Sequence, residues 1–256
     1  MAKAVVYCSW NQAPHLTAES KAELLATIPH YQRDARSKGI PHLGSGMIYQ
    51  FSQTDIENLL MVKYADEFPI PPHWKLAYAM DTGWNWNGIV FGALNPSTDV
   101  LYIYDILRVG KTDPAIIAAS IQSKSPGWKM PGVADAADVN RNDGISYMEM
   151  YKNMGLDIEL PDKALESGIS ETWVRLSQGR LKIFQHCAEW FSELNLYNRD
   201  AKGNIVEQNA AGSMRHDLLD ATRYLVMSGI HRAKPKPSYI PPELVFHTAS
   251  VGGWME

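Results

Sequence analysis

The chain has 256 residues, 45% of them hydrophobic and 20% charged. These values are those of an ordinary globular protein and exclude wholesale disorder and collagen-like structure. Its 24 basic and 28 acidic side chains leave a net charge of −4, so any nucleic-acid contact must come from local basic clusters. With only two cysteines, Cys8 and Cys187, neither a disulfide scaffold nor a thiolate metal cluster is available, and a reduced, cytoplasmic setting is expected. No run reaches the ~18 consecutive apolar residues of a membrane span, and no basic segment followed by an apolar one opens the chain.

Punctuation divides the sequence into three parts: an N-terminal extension or linker over 1–73, a main domain over 74–232 and a proline-bearing tail over 233–256 that is expected to lack structure. The first part predicts one helix, Thr17 to Ile28, with Thr17 as its cap. It also holds Tyr31-Gln-Arg-Asp-Ala-Arg36 and the glycine-rich Leu43-Gly-Ser-Gly46, and it closes on the proline cluster Phe68-Pro-Ile-Pro-Pro72. Next come three strand-like runs, Lys75 to Asp81, Gly88 to Leu94 and Val100 to Arg108, joined by short turns and forming an antiparallel meander. Asp113-Pro114 opens a helix over Ala115 to Ser123, because proline suits a first turn that needs no donor from it. A fourth strand covers about Lys129 to Asp135. Helices over Ser146 to Met154 and Leu165 to Leu176 then alternate with strand-like Leu156 to Leu160 and Arg180 to Phe184. Helices from His186 to Leu196 and from about Ser213 to Ile230 complete the regular part. A meander followed by alternating helices and strands is the α/β order of a ribonuclease H-like fold: a mixed five-stranded sheet flanked by helices.

The acidic residues carry the chemistry. Asp81 and Asp135 each end a short apolar strand, where a carboxylate is costly without a partner, although each taken alone fits a turn or cap role. Asp138 and Asn140 follow closely. In His216-Asp217-Leu-Leu-Asp220-Ala-Thr-Arg-Tyr224 the acids lie three apart, so at about 100° per residue Asp217, Asp220 and Tyr224 share one helix face. No lysine lies one turn onward to relieve their repulsion, and Arg223 is expected to point elsewhere. Two strand-end acids plus a late acidic helix would meet the needs of hard divalent cations, which prefer carboxylate oxygens and act in pairs on phosphodiesters.

Several motifs together make the chain resemble the nuclease domain of tailed-phage large terminase subunits over about Ser9 to Gly229. They are Tyr31-Gln-Arg-Asp-Ala-Arg-Ser-Lys-Gly-Ile-Pro41, Met80-Asp-Thr-Gly-Trp-Asn85, Gly132-Val-Ala-Asp135, Gly179-Arg-Leu-Lys-Ile-Phe184 and Asp220-Ala-Thr-Arg-Tyr-Leu-Val-Met-Ser-Gly229. The resemblance implies a metal-dependent endonuclease that cuts double-stranded DNA concatemers during phage genome packaging, in the cytoplasm of an infected host. It implies two Mg2+ or Mn2+ ions, Asp81, Asp135 and Asp220 as catalytic metal ligands, Asp217 as a further ligand of the second ion, and Asp138 behind them. The partners it implies are an ATPase motor domain, a small terminase and a portal. The chain departs from full-length terminases in having no Gly-x4-Gly-Lys-Ser/Thr phosphate loop, so no ATP hydrolysis is expected of it.

Basic residues that could touch DNA are Arg141, Lys163, Arg175, Arg180, Lys182 and Arg215. Trp84 and Trp86 could stack on it, and Glu166 could border the cleft with Lys163. His216 could serve the site or be structural, and Cys187 falls on an apolar helix face. Competing readings are a Holliday-junction resolvase or transposase-like nuclease with the same acidic core, and a non-catalytic phage assembly module. A single Asp81-Thr-Gly83 is too little for an aspartic protease, which needs two copies.

Overall fold

The structure is a computed structural model and describes residues 9–27, 37–38, 46–63, 68–83, 85–136, 146–200, 202–206 and 216–238. Eight strands form one mixed sheet: β1 (Met61–Val62), β2 (Lys75–Thr82), β3 (Asn87–Asn95), β4 (Val100–Val109), β5 (Pro131–Asp135), β6 (Asp157–Glu159), β7 (Leu181–Phe184) and β8 (Lys234–Pro235). Their order is β1-β7-β4-β3-β2-β5-β6, with β8 beside β2. The meander β2-β3-β4 is antiparallel, and β5, β6, β7 and β1 join in parallel, so the mixed ribonuclease H-like arrangement stands with more strands than the expected five. β1 and β8 account for part of the excess. Each is two residues long and pairs at a place left open by its neighbours, too short to show as an alternating pattern. β8 also places two residues of the tail, Lys234 and Pro235, in the sheet, where no structure was expected. Leu76 and Lys75 of β2 lie beyond the residues that β5 covers, and Lys234 and Pro235 fill that edge, where proline's missing donor is tolerated.

The helices are α1 (Ala18–Thr27), α2 (Gln53–Asp55), α3 (Pro114–Ser123), α4 (Tyr147–Asn153), α5 (Leu165–Ser177), α6 (Ala188–Leu196), α7 (Asp217–Tyr224) and α8 (Ile230–Arg232). Asp113 caps α3 by accepting the Ala115 N–H at 2.8 Å, and Ser146 forms a capping box with Glu149 on α4. The strands' period of two sends alternate residues to opposite faces. Ala77 and Ala79 meet α5, α6 and α7 on one side, whereas Tyr78 and Met80 meet Ile117 and Ile121 of α3 and Tyr151 of α4 on the other. Tyr49, Phe51, Ile56 and Leu60, which precede the proline cluster, are buried in the first of these cores. Each fully buried side chain of this size contributes roughly 1.5–3 kcal/mol. The final helix is not uniform: α7 passes into a π-helical turn, Leu225–Gly229, before α8. Among the described residues no helix is long and apolar enough to cross a membrane.

Candidate metal centre

Strand register builds the site. Asp81 on β2 lies directly beside Asp135 on β5 and directly opposite Gly88 on β3, and Gly88 in turn lies opposite Arg108 on β4. Residues in such a cross-strand row point to one face, so Arg108, Asp81 and Asp135 all face the side covered by α7. Gly88 leaves the gap in that row, and the start of α7 fills it. A Cβ at position 88 would come within 2.5 Å of the Asp217 carbonyl carbon and 2.6 Å of its oxygen. Asp217 and Asp220 on α7 are thereby brought over the two strand-end acids.

The charges register this crowding. Burial first, then the carboxylates of Asp220, Asp217 and Asp135, push the Asp81 carboxyl up from 3.8 to about 8. A carboxyl raised by three others is a group that a nearby cation would return to its ionised form. Asp81, Asp217 and Asp220 line a cleft of about 640 Å3 together with Glu166 and Arg199, which pair at 2.8 Å. Asp135 stands beside that lining. One of its oxygens pairs with Lys163 Nζ, the other accepts from the Tyr224 hydroxyl at 3.2 Å, and its backbone carbonyl accepts from the Thr82 hydroxyl.

Arg223 corrects the sequence reading. It does not point away from the acids: its Nη2 donates to Asp220 Oδ1 at 2.9 Å, because residues three apart are neighbours on a helix surface. The guanidinium also lies 4.5 Å from the centre of the Tyr224 ring and donates to the Lys163 carbonyl at 3.3 Å.

Two residues of the site escaped the sequence reading. Glu193 on α6 is wholly buried and caps α7, accepting the N–H groups of Leu218 at 2.9 Å and Leu219 at 3.2 Å. Arg108 bridges it to the site, 3.6 Å from Glu193 and 3.7 Å from Asp217. Burial pushes the Glu193 carboxyl up to about 8 despite the opposing pull of Arg108. The signal for Glu193 was present, since it stands three residues after Trp190 and four before Tyr197, inside an apolar helical stripe.

Other expected residues fall in varied places. Arg175 and Arg180 both hold Asp99 in the β3–β4 turn, which gives them a structural role. His216 lines the cleft, bonded to the Val206 carbonyl at 3.2 Å and set edge-on against Tyr197. Trp86 is exposed at 39% and packs under the Arg108 guanidinium at 5.3 Å. Cys187 is core, as expected. Asp138, Asn140, Arg141, Arg215, Trp84 and the Tyr31–Arg36 motif lie outside the described residues.

The donor set fits a hard divalent cation by chemistry: carboxylates only, crowded enough to hold one of their number protonated. As the side chains stand, no three acids, histidines or cysteines among the described residues are close enough to grip one ion. Two of the acids are engaged by cationic side chains instead, Asp135 by Lys163 and Asp220 by Arg223.

Comparison with known proteins identifies the family to which this fold belongs. A family model described as the terminase RNaseH-like domain matches residues 78–228. The terminase large subunit of Salmonella phage P22 is 32% identical over 255 residues, covering 93% of this chain and 48% of the relative. That of Enterobacteria phage LP7 is 33% identical over 232 residues, covering 86% and 45%. The chain thus spans about half the length of the curated relatives it matches. Among solved structures, the P22 large terminase nuclease domain superposes with a TM-score of 0.62 at 25% identity, covering 75% of this chain and 96% of that one. The nuclease of thermophilic phage G20c with bound magnesium shares the fold at a TM-score of 0.52 and 20% identity, covering 73% and 98%. With a family match over more than half its length, the chain belongs to the terminase RNaseH-like domain family.

Proposed function

We propose that this chain is the nuclease part of a phage large terminase, a divalent-metal-dependent endonuclease that cuts double-stranded DNA concatemers during genome packaging in the infected host's cytoplasm. The cross-sheet row that sets Asp81 beside Asp135, with α7 seated on Gly88 above them, is the observation that carries the reading. Residues 74–232 form the nuclease domain, with 46–62 packed on its core. An ATPase motor domain supplies the energy for packaging, and a small terminase and a portal are its partners.

Asp81, Asp135 and Asp220 hold two Mg2+ or Mn2+ ions, and Asp217 contributes to the second. When bound, such ions stabilise negative charge developing on phosphate oxygens and favour ionisation of water. The chain's own side chains set the stage. Tyr224 and Thr82 fix Asp135, Arg223 orients Asp220, and Arg108 with Glu193 holds the start of α7 and Asp217 against the sheet. The G20c nuclease, a protein of the same fold, has been solved with bound magnesium.

Incubation of supercoiled plasmid with the chain and Mn2+ or Mg2+, beside a chelator control, tests the proposal. Metal-dependent nicking and linearisation that disappears in Asp81→Ala and Asp220→Ala is the expected result. Folded variants that cut as well as the parent would overturn the assignment.

A further inference from the structure

We propose that Lys163 is the resident counter-cation of Asp135, displaced when a divalent ion loads and then free to meet a DNA phosphate, so that metal and DNA reinforce each other's binding. The inference rests on the reading of Asp135 as a metal ligand.

Among the described cationic side chains paired with the site's acids, Arg223 and Lys163 differ most in freedom. Arg223 is 5% exposed, bonded twice to Asp220 and stacked on Tyr224. It has nowhere to go. The Lys163 side chain is 47% exposed, and its Nζ meets one Asp135 oxygen from the solvent side. Its backbone, in contrast, is tied to the helical run that carries Asp220. The Asp162 N–H donates to the Ser228 hydroxyl at 2.9 Å, Ala164 N–H to Asp162 Oδ1 at 2.8 Å, and Arg223 Nη1 to the Lys163 carbonyl at 3.3 Å. The ammonium therefore swings on a flexible four-carbon stem from a fixed root at the edge of the cleft.

A half-exposed ion pair of this kind shifts an equilibrium only a few-fold, so a doubly charged ion with carboxylate preference displaces it readily. The released ammonium then stands where a phosphodiester would lie against the acids, and it can hold that phosphate as a point charge. Linkage makes the effect reciprocal. DNA that takes Lys163 away from Asp135 raises metal affinity by the same factor by which metal raises DNA affinity. A protein built this way keeps its centre neutralised between cuts.

Mn2+ binding to the full chain, followed by electron paramagnetic resonance with and without a short phosphorothioate duplex, tests this. Without DNA, Lys163→Met binds Mn2+ about fivefold more tightly than the parent. The duplex tightens Mn2+ binding more in the parent than in Lys163→Met, and Lys163→Arg keeps part of the difference. Lys163→Gln repeats the measurement if the methionine variant melts early by circular dichroism in chelator. Unchanged or weaker Mn2+ affinity in the neutral variants overturns the lysine's role. Asp135→Asn separates the two levels: if it leaves Mn2+ affinity intact, the metal-centre reading itself fails, whatever Lys163 does.

Discussion

Replacing Asp81 by asparagine sets the protein's stability against its metal affinity. The Asp81 carboxyl rises from 3.8 to about 8 through burial and the facing charges of Asp220, Asp217 and Asp135. The folded, metal-free chain thus binds that proton more tightly than the unfolded chain does. The resulting stability is complete below about pH 4 and is lost as pH rises through about 8. At ~1.4 kcal/mol per unit the full shift sets a ceiling of roughly 6 kcal/mol, and water entry with side-chain relaxation lowers the expected loss to about 2–3 kcal/mol. Asparagine does not titrate. In chelator, Asp81→Asn should therefore gain on the parent by about 2–3 kcal/mol between roughly pH 5 and pH 9, measured by urea unfolding at both values. Glu193, also raised to about 8, tilts both proteins alike and cancels in the difference. Saturating Mg2+ should reverse the order at high pH by stabilising the parent and not the variant. Parallel pH profiles in chelator, or equal stabilisation by Mg2+, would refute the account of four mutually crowded carboxylates.

Gly88→Ala drives a methyl group into the Asp217 backbone, so a loss of about 1–3 kcal/mol in chemical denaturation is expected, with cleavage falling further than stability explains. Glu193→Ala removes the cap of α7 and should cost about 1–2 kcal/mol, whereas Glu193→Gln keeps an acceptor for the Leu218 and Leu219 N–H groups and should melt above it. Equal melting of the two would mean that the cap contributes nothing. The Cys187 thiol is buried and pushed up to about 12 by that burial, so in a Cys8→Ser background an aromatic disulfide reagent should label no thiol until the chain unfolds.

The main elements were legible in the sequence because local patterns specify them. Alternating apolar residues mark β2, β3 and β4, Asp113-Pro114 marks the start of α3, and the acids three apart on α7 stand out against its apolar face. Each strand-end aspartate was visible as a misfit at the close of an apolar run. The pairings were not. Arg223 was expected to point away from the acids, yet it bonds to Asp220 and also meets the Tyr224 ring and the Lys163 carbonyl. Glu193 was readable as a charge inside an apolar stripe, but the α7 N–H groups that justify it lie on another helix.

Sequence by itself determined which residue types are available to the site and which element each rides on, because propensity, capping and periodicity act over a few neighbouring positions. Only the tertiary structure decided that β5 lies beside β2 in the register that aligns Asp135 with Asp81, and that α7 settles into the space Gly88 leaves. It also decided that Arg108, Glu193 and Lys163 supply the surrounding charges. Strand order and helix docking are set by packing among residues far apart in the chain, and no local pattern encodes that packing.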